Sequence, residues 1–152
     1  MPNPPSSDHS GVTLDRDQVS ALIATHFPQI HGGGQSLFID SVGPCKASVR
    51  LAISDRNVRP GGTVSGPTMF SLADFSIYVA ILATLGEGAI QAVTSNLNIN
   101  FLTRPEPKDM TADVRLIRIG RRQVVAEVAL RTVGQQDMVA HAVATYALPG
   151  KR

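Results

Sequence analysis

The sequence predicts an α+β domain in which one long, buried helix packs against an antiparallel sheet. Three observations predict it. Pro67–Leu85 is apolar almost all round: Met69, Phe70, Leu72, Ala73, Phe75, Ile77, Tyr78 and the run Val79–Ala83 leave it no polar face, which is the mark of a core helix. Val93–Phe101 alternates strictly, with Val93, Ser95, Leu97, Ile99 and Phe101 on one side and Thr94, Asn96, Asn98 and Asn100 on the other, the period of a strand. Three further strand-like runs, Thr111–Ile119, Gln123–Val133 and Asp137–Leu148, follow with short connectors at Gly120-Arg121 and Gly134-Gln135, as in an antiparallel meander.

The remaining elements fall into order around these. Leu14–Phe27 places Val19, Leu22, Ile23 and Phe27 at helical spacing, and Pro28 with Gly32–Gly34 ends it. Ser36–Val42 and Lys46–Ile53, parted by Gly43-Pro44, read as a hairpin. Ser54–Gly66, rich in Arg and Gly, reads as a loop. Ser65 suits the N-cap of the long helix and Pro67 its first turn; Gly86 and Gly88 stop it. A membrane span is the rival reading of this helix, but the stretch is short for a bilayer, contains an Asp and lacks basic flanks. Residues 1–13 read as a flexible leader, 14–149 as the single domain and 150–152 as a tail.

Composition narrows the function. The chain has 152 residues, 43% hydrophobic and 17% charged, with a formal net charge of +2. That is a globular composition. The basic bias suits an anionic small molecule, whereas dispersed Lys and Arg and the lack of Trp argue against nucleic acid. Cys45 is the sole cysteine, which excludes an internal disulfide and points to a reducing, cytoplasmic setting. Met1–Gly11 has no apolar core and is no signal peptide. No His, Asp and Glu spacing suggests a metal.

The chemistry centres on Asp74, the only charged side chain between Arg59 and Glu87. A carboxylate in apolar company is paired, protonated or functional, because burying it alone is costly; the structural alternative is a hydrogen bond to neighbouring backbone or to an Arg. The segment Ser65-Gly66-Pro67 supplies a complement. The first N–H groups of a helix lack internal partners and sit at the positive end of its dipole. Gly66 has no side chain to block an approaching carbonyl, so its N–H is a candidate oxyanion donor; Pro67 has no N–H to offer. Gly66 and Asp74 are separated by roughly 12 Å along one helix axis. One carbonyl cannot touch both, so a shared substrate requires two chains whose helices run antiparallel: a symmetric dimer with two composite sites.

Gly66-Pro67-Thr68-Met69-Phe70-Ser71-Leu72-Ala73-Asp74 resembles the loop–helix signature of hotdog-fold thioesterases of the phenylacetate-degradation (PaaI-like) type, which reads His-Gly-Gly, four residues, Leu-Ala-Asp. Val93–Pro105 is similar to the family's next strand, and Gly120-Arg121-Arg122 to its strand turn. The resemblance spans about Leu14 to Pro149. It implies a hotdog fold, a sheet wrapped around one central helix, and hydrolysis of an acyl-CoA by a homodimer or homotetramer, with no cofactor beyond the CoA of the substrate. It assigns attack on the thioester, or activation of water, to Asp74. The carbonyl oxygen falls to the Gly66 N–H of the partner subunit, and placement of water to Thr94. The family His falls at Ser65, its second Gly at Pro67, and its Asn or Gln at Arg59, which either meets the substrate or pairs with Asp74.

Arg104, Lys108, Arg118, Arg121 and Arg122 gather around predicted strand ends, as a solvated rim or as a patch for the CoA phosphates, which the bidentate guanidinium fits. Tyr78, one turn past Asp74, points to an aryl or medium-chain acyl group. His31-Gly32-Gly33-Gly34 imitates a lipase oxyanion loop, but the chain has no Gly-x-Ser-x-Gly, and a helix-to-strand loop is the simpler reading. His141 reads as a sheet-face residue, and His9 and His26 have no partner pattern. Two other functions compete: a hotdog hydratase or dehydratase, disfavoured because neither the helix nor its loop carries a His beside Asp74, and a non-catalytic acyl-CoA-binding protein, motivated by Arg59, Ser65 and Pro67.

Overall fold

The structure, a computed structural model, describes residues 12–150. Of the expected leader at 1–13, residues 1–11, with His9, lie outside the described residues, as does Lys151–Arg152 of the tail. Thr13 and Leu14 are docked. Their backbone N–H groups donate to the Ala83 carbonyl at 2.8 and 3.0 Å, and the Thr13 hydroxyl donates to the Thr84 carbonyl at 2.8 Å. These bonds satisfy carbonyls that the last turn of a helix otherwise leaves open.

Helix α1 (Arg16–His26) begins with a capping box in which Asp15 and Gln18 satisfy each other's backbone N–H groups. Strands β1 (Leu37–Gly43) and β2 (Lys46–Leu51) form the expected hairpin. The Ser54–Gly66 stretch is more ordered than a loop: it holds a two-stranded ladder, β3 (Val58–Arg59) with β4 (Thr63–Val64). Two-residue strands are too short to show a period. What joins them is a turn whose Gly61 and Gly62 have φ of 100° and 72°, a conformation side chains resist.

Helix α2 (Gly66–Leu85) is the expected long element, capped by Ser65 and closed by Gly86 at φ 85°. Its composition and length are those of a membrane span, yet 72% of that window is buried inside the fold. The sheet is its solvent. Strands β5 (Val93–Phe101), β6 (Met110–Ile119), β7 (Gln123–Thr132) and β8 (Met138–Ala147) join β1 and β2 in the order β1-β2-β6-β7-β8-β5, antiparallel throughout. Bulges in β1, β5, β6 and β7–β8 add twist and curl the sheet about the helix. This is the hotdog architecture.

Ile77, Val79, Ile81 and Leu82 of α2 have no exposed surface and meet Val49, Met110, Val124, Val128 and Leu130 in one core. Each such side chain contributes about 1.5–3 kcal/mol by leaving water. The inner positions of β8 are Ala140, Ala142, Ala144 and Tyr146, all buried: three small residues, then one large residue with a polar tip. Strand β5 forms the far edge. Val93, Phe101 and the adjoining Leu102 are 51–60% exposed, and one side of its backbone is unpaired.

Candidate active site

Ser71, Asp74, Phe75 and Tyr78 are spaced i, i+3, i+4, i+7 on α2 and so share one helix face. They line a cleft of about 420 Å³ closed by His26, Phe27 and Ile30 at the end of α1, by the segment Ile90–Thr94, and by Tyr146. Asp74 is half-buried at its edge. Its Oδ1 accepts two hydroxyl donors, Thr94 Oγ1 at 2.6 Å and Tyr146 Oη at 2.6 Å; the Tyr146 hydroxyl also reaches the Asp74 carbonyl at 2.8 Å. No Lys, Arg or His pairs with Asp74 among the described residues, so Arg59 does not quench it within the chain.

Tyr146 was invisible to motif reasoning. The usable signal was its place on β8: a tyrosine buried beyond a row of alanines must find a partner for its hydroxyl. Burial, then the negative charge of Asp74 and the hydrogen bond to it, push the Tyr146 phenol far up from 10.0; it therefore remains a donor throughout the physiological range. Its ring stacks on Tyr78, with centroids 6.5 Å apart and planes 14° apart. Tyr78 in turn meets Phe27 edge-on at 6.4 Å and donates its hydroxyl to the Ile90 carbonyl at 2.6 Å. Tyr78 thus offers the cleft its ring, while its hydroxyl is engaged elsewhere.

The start of α2 is built for one free donor. Ser65 Oγ accepts from the Thr68 N–H at 3.3 Å and bonds the Thr68 hydroxyl at 2.7 Å, and the Met69 N–H reaches the Ser65 carbonyl at 3.2 Å. Pro67 has no N–H. That leaves the Gly66 N–H without an acceptor among the described residues. A Cβ at Gly66 would stand 3.4 Å from Cζ of Phe101, so this donor lies beside the exposed end of β5. Ser65 serves as a cap through its side chain.

The basic residues divide between the two ends of α2. At its start, Arg59 is exposed on β3, and Arg104 packs its guanidinium against Gly61 of the β3–β4 turn. Arg121 and Arg122, with Arg118, line a groove at the β6–β7 turn and adjoin Leu85 at the helix's other end. They do not line the Asp74 cleft. The Leu148 N–H bonds the Arg122 carbonyl at 2.8 Å, two residues along β8 from Tyr146, so this turn lies roughly 7 Å along the strand from the Asp74 cluster. His31-Gly32-Gly33-Gly34 forms the turn after α1, with Gly33 against Arg56. His141 sits on the outer face of the sheet beside Glu127. Among the described residues no three His, Cys, Asp or Glu side chains converge on a common point.

The profile of the Thioesterase superfamily matches residues 61–139, from the β3–β4 turn through the start of β8. A protein of Silicibacter sp. TM1040 assigned as a thioesterase is 38% identical; the match covers 94% of this chain and 97% of that one, with a TM-score of 0.84. A phenylacetic acid degradation-related protein of Ralstonia eutropha JMP134 is 25% identical over 81% of this chain and 99% of that one, TM-score 0.68. A thioesterase of Haemophilus influenzae shares the fold at 21% identity, over 90% and 92% of the two chains, TM-score 0.75. No curated protein sequence matches the chain. With the profile and the 38% identical relative in agreement with the architecture, this chain belongs to the thioesterase superfamily and is a thioester hydrolase of the hotdog fold.

Proposed function

We propose that the protein hydrolyses acyl-CoA thioesters carrying an aryl or medium-length acyl group, acts in the cytoplasm, and works as a homodimer whose sites each span two chains. The observation that carries this reading is Asp74: a carboxylate held by neutral hydroxyls, with no cation beside it among the described residues, at the mouth of a cleft walled by Phe27, Ile30, Phe75 and Tyr78. Aromatic walls suit a flat ring or a short chain.

Thr94 donates to Asp74 and keeps lone pairs with which to accept from water. A water between Thr94 Oγ1 and the free carboxylate oxygen loses a proton to Asp74 as its oxygen bonds to the acyl carbon. The carbonyl electron pair moves onto oxygen, where a Gly66 N–H stabilises it. Collapse breaks the C–S bond, its electron pair leaves on sulfur, and the thiolate takes the proton from Asp74. The products are the acid and CoA.

The Gly66 donor belongs to the second chain, because roughly 12 Å of helix separates it from Asp74 within one. The unpaired edge of β5, the exposed Phe101 beside Gly66, and the exposed Phe70 and Leu102 are surfaces that ordinarily become covered. In this reading Arg118, Arg121 and Arg122, which line a groove at the β6–β7 turn, take the CoA phosphates, with Arg59 and Arg104 near the donor end of the helix.

The test mixes two inactive proteins, Asp74→Ala and Gly66→Phe. In a mixed dimer one site carries both lesions and the other carries neither, so co-expression should restore about a quarter of wild-type activity. A mixture that stays inactive despite proven subunit exchange places the whole site in one chain. A hydratase reading gains one observation, since His26 lines the same cleft; loss of enoyl absorbance would support it, and thiol release supports hydrolysis. Binding of acyl-CoA without thiol release would make the protein a carrier.

A further inference from the structure

We infer that Tyr146 is a positioning residue of the hydrolysis: with Thr94 it occupies Oδ1 of Asp74, and this makes Oδ2 the oxygen that reacts. The inference rests on the proposed role of Asp74 and adds to it which carboxylate oxygen works and what holds it.

A carboxylate oxygen has about two lone-pair directions. Oδ1 fills both, with two hydroxyl donors at 2.6 Å, the single Tyr146 proton being shared with the Asp74 carbonyl at 2.8 Å. The bonds are short, as hydrogen bonds to an ionised acceptor are. Oδ2 accepts no hydrogen bond from the described residues and is free to take a proton from water.

The arrangement is set by the sheet. Thr94 and Tyr146 are cross-strand partners in the β5–β8 ladder, and the register shifts immediately after Thr94. A bulge at that point re-aims a strand residue, and both hydroxyls converge on one atom of a side chain from the helix. Tyr146 is locked on three sides. Its backbone pairs with Thr94 and Val124, its ring stacks on Tyr78, and Tyr78 is tied to Ile90. A flexible donor would let the carboxylate rotate and exchange its two oxygens; this donor does not swing.

Tyr146→Phe removes the hydroxyl and keeps the ring. We expect kcat to fall about tenfold with KM for acyl-CoA within about twofold, the pattern for a group that acts through the catalytic carboxylate and not on substrate binding. Thr94→Val should lower kcat in the same way, with KM again little changed, and the double variant should lose more than either alone. A normal kcat in Tyr146→Phe, or a loss that falls on KM instead, overturns the inference while leaving the role of Asp74 intact.

Asp74→Ala, assayed in parallel, separates the two. Near-normal turnover there removes the reading on which this one rests. Should Tyr146→Phe fail to fold, the wild-type hydroxyl can be observed directly. The chain has two tyrosines, so in Tyr78→Phe protein grown on 3-fluorotyrosine the fluorine signal reports position 146 alone. That signal should change position when Asp74→Asn removes the charged acceptor; a signal that does not move overturns the inference.

Discussion

Two carboxylates in this protein each accept two side-chain partners, yet they sit in opposite electrostatic settings. Asp74, at the edge of the cleft, accepts from the neutral hydroxyls of Thr94 and Tyr146. Glu127, on the outer face of the sheet, accepts from Arg115 at 2.6 and 2.9 Å and lies 3.3 Å from His141. The first arrangement fixes direction and leaves the negative charge uncompensated, available for proton transfer or attack. The second compensates it. The bond from Arg115, then that from His141, holds the Glu127 carboxyl below its ordinary value of 4.5. On the proposed role of Asp74, the number of hydrogen bonds does not separate a reactive carboxylate from a structural one; the charge of the donors does.

The largest expected effect follows from removing the carboxylate proposed to react. Asp74→Asn should lower acyl-CoA turnover by about 10²–10⁴-fold with the fold retained by circular dichroism, whereas Glu127→Gln should leave turnover within about twofold. Equal losses in a thiol-release assay would erase the distinction. Next, Asp74 can be made to resemble Glu127. Thr94→Lys puts an ammonium where a hydroxyl stood and should cost about 10²-fold, against about tenfold for Thr94→Val, the excess being the compensated charge. Similar losses in the two variants would show that the missing hydroxyl, and not the added cation, is what counts.

A smaller effect concerns binding. Arg121→Ala with Arg122→Ala should raise KM for acyl-CoA about five- to tenfold with kcat little changed, because phosphate contacts far from the reacting carbon bind substrate and transition state alike. The increase should shrink as salt rises. An unchanged KM moves the phosphates to Arg59 and Arg104. The smallest effect is on stability. A depressed folded-state carboxyl contributes stability that is present above the ordinary glutamate value and lost as pH falls through the folded one. Thermal melts of the wild type should therefore drop on the acid side below about pH 4.5, and Glu127→Gln should flatten that part of the curve slightly, the pair being open to solvent. A steeper acid drop in the variant would reverse the sign.

Much of this was legible in the chain. The long helix could be read because no polar face interrupts Pro67–Leu85, and Asp74 because it is the one charge in that stretch. Both are local contrasts that survive any packing. The open Gly66 N–H, without an acceptor among the described residues, could be read for a similar reason: Ser65 and Pro67 account for its neighbours by their own chemistry. The six long strands also lie within two residues of the runs read from the sequence, but the strict alternation of Val93–Phe101 fails at its start: the bulge after Thr94 turns that residue to the inner face with Leu97 and Ile99 and away from Asn96, Asn98 and Asn100.

What the sequence by itself determined, then, is the set of elements and the one conspicuous carboxylate, since period, capping and composition act over a few residues. Only the tertiary structure decided the company that carboxylate keeps. Tyr146 lies 72 residues from Asp74, and no local pattern links them until β5 crosses to the far side of β8 and brings Thr94 opposite Tyr146. The same pairing order carried His26 and Phe27 of α1 over the cleft and left the edge of β5 open. It also set Arg121 and Arg122 beside the cleft and not within it. Pairing order and register are choices among long-range contacts of similar local appearance, and they are resolved only when the whole sheet closes on its helix.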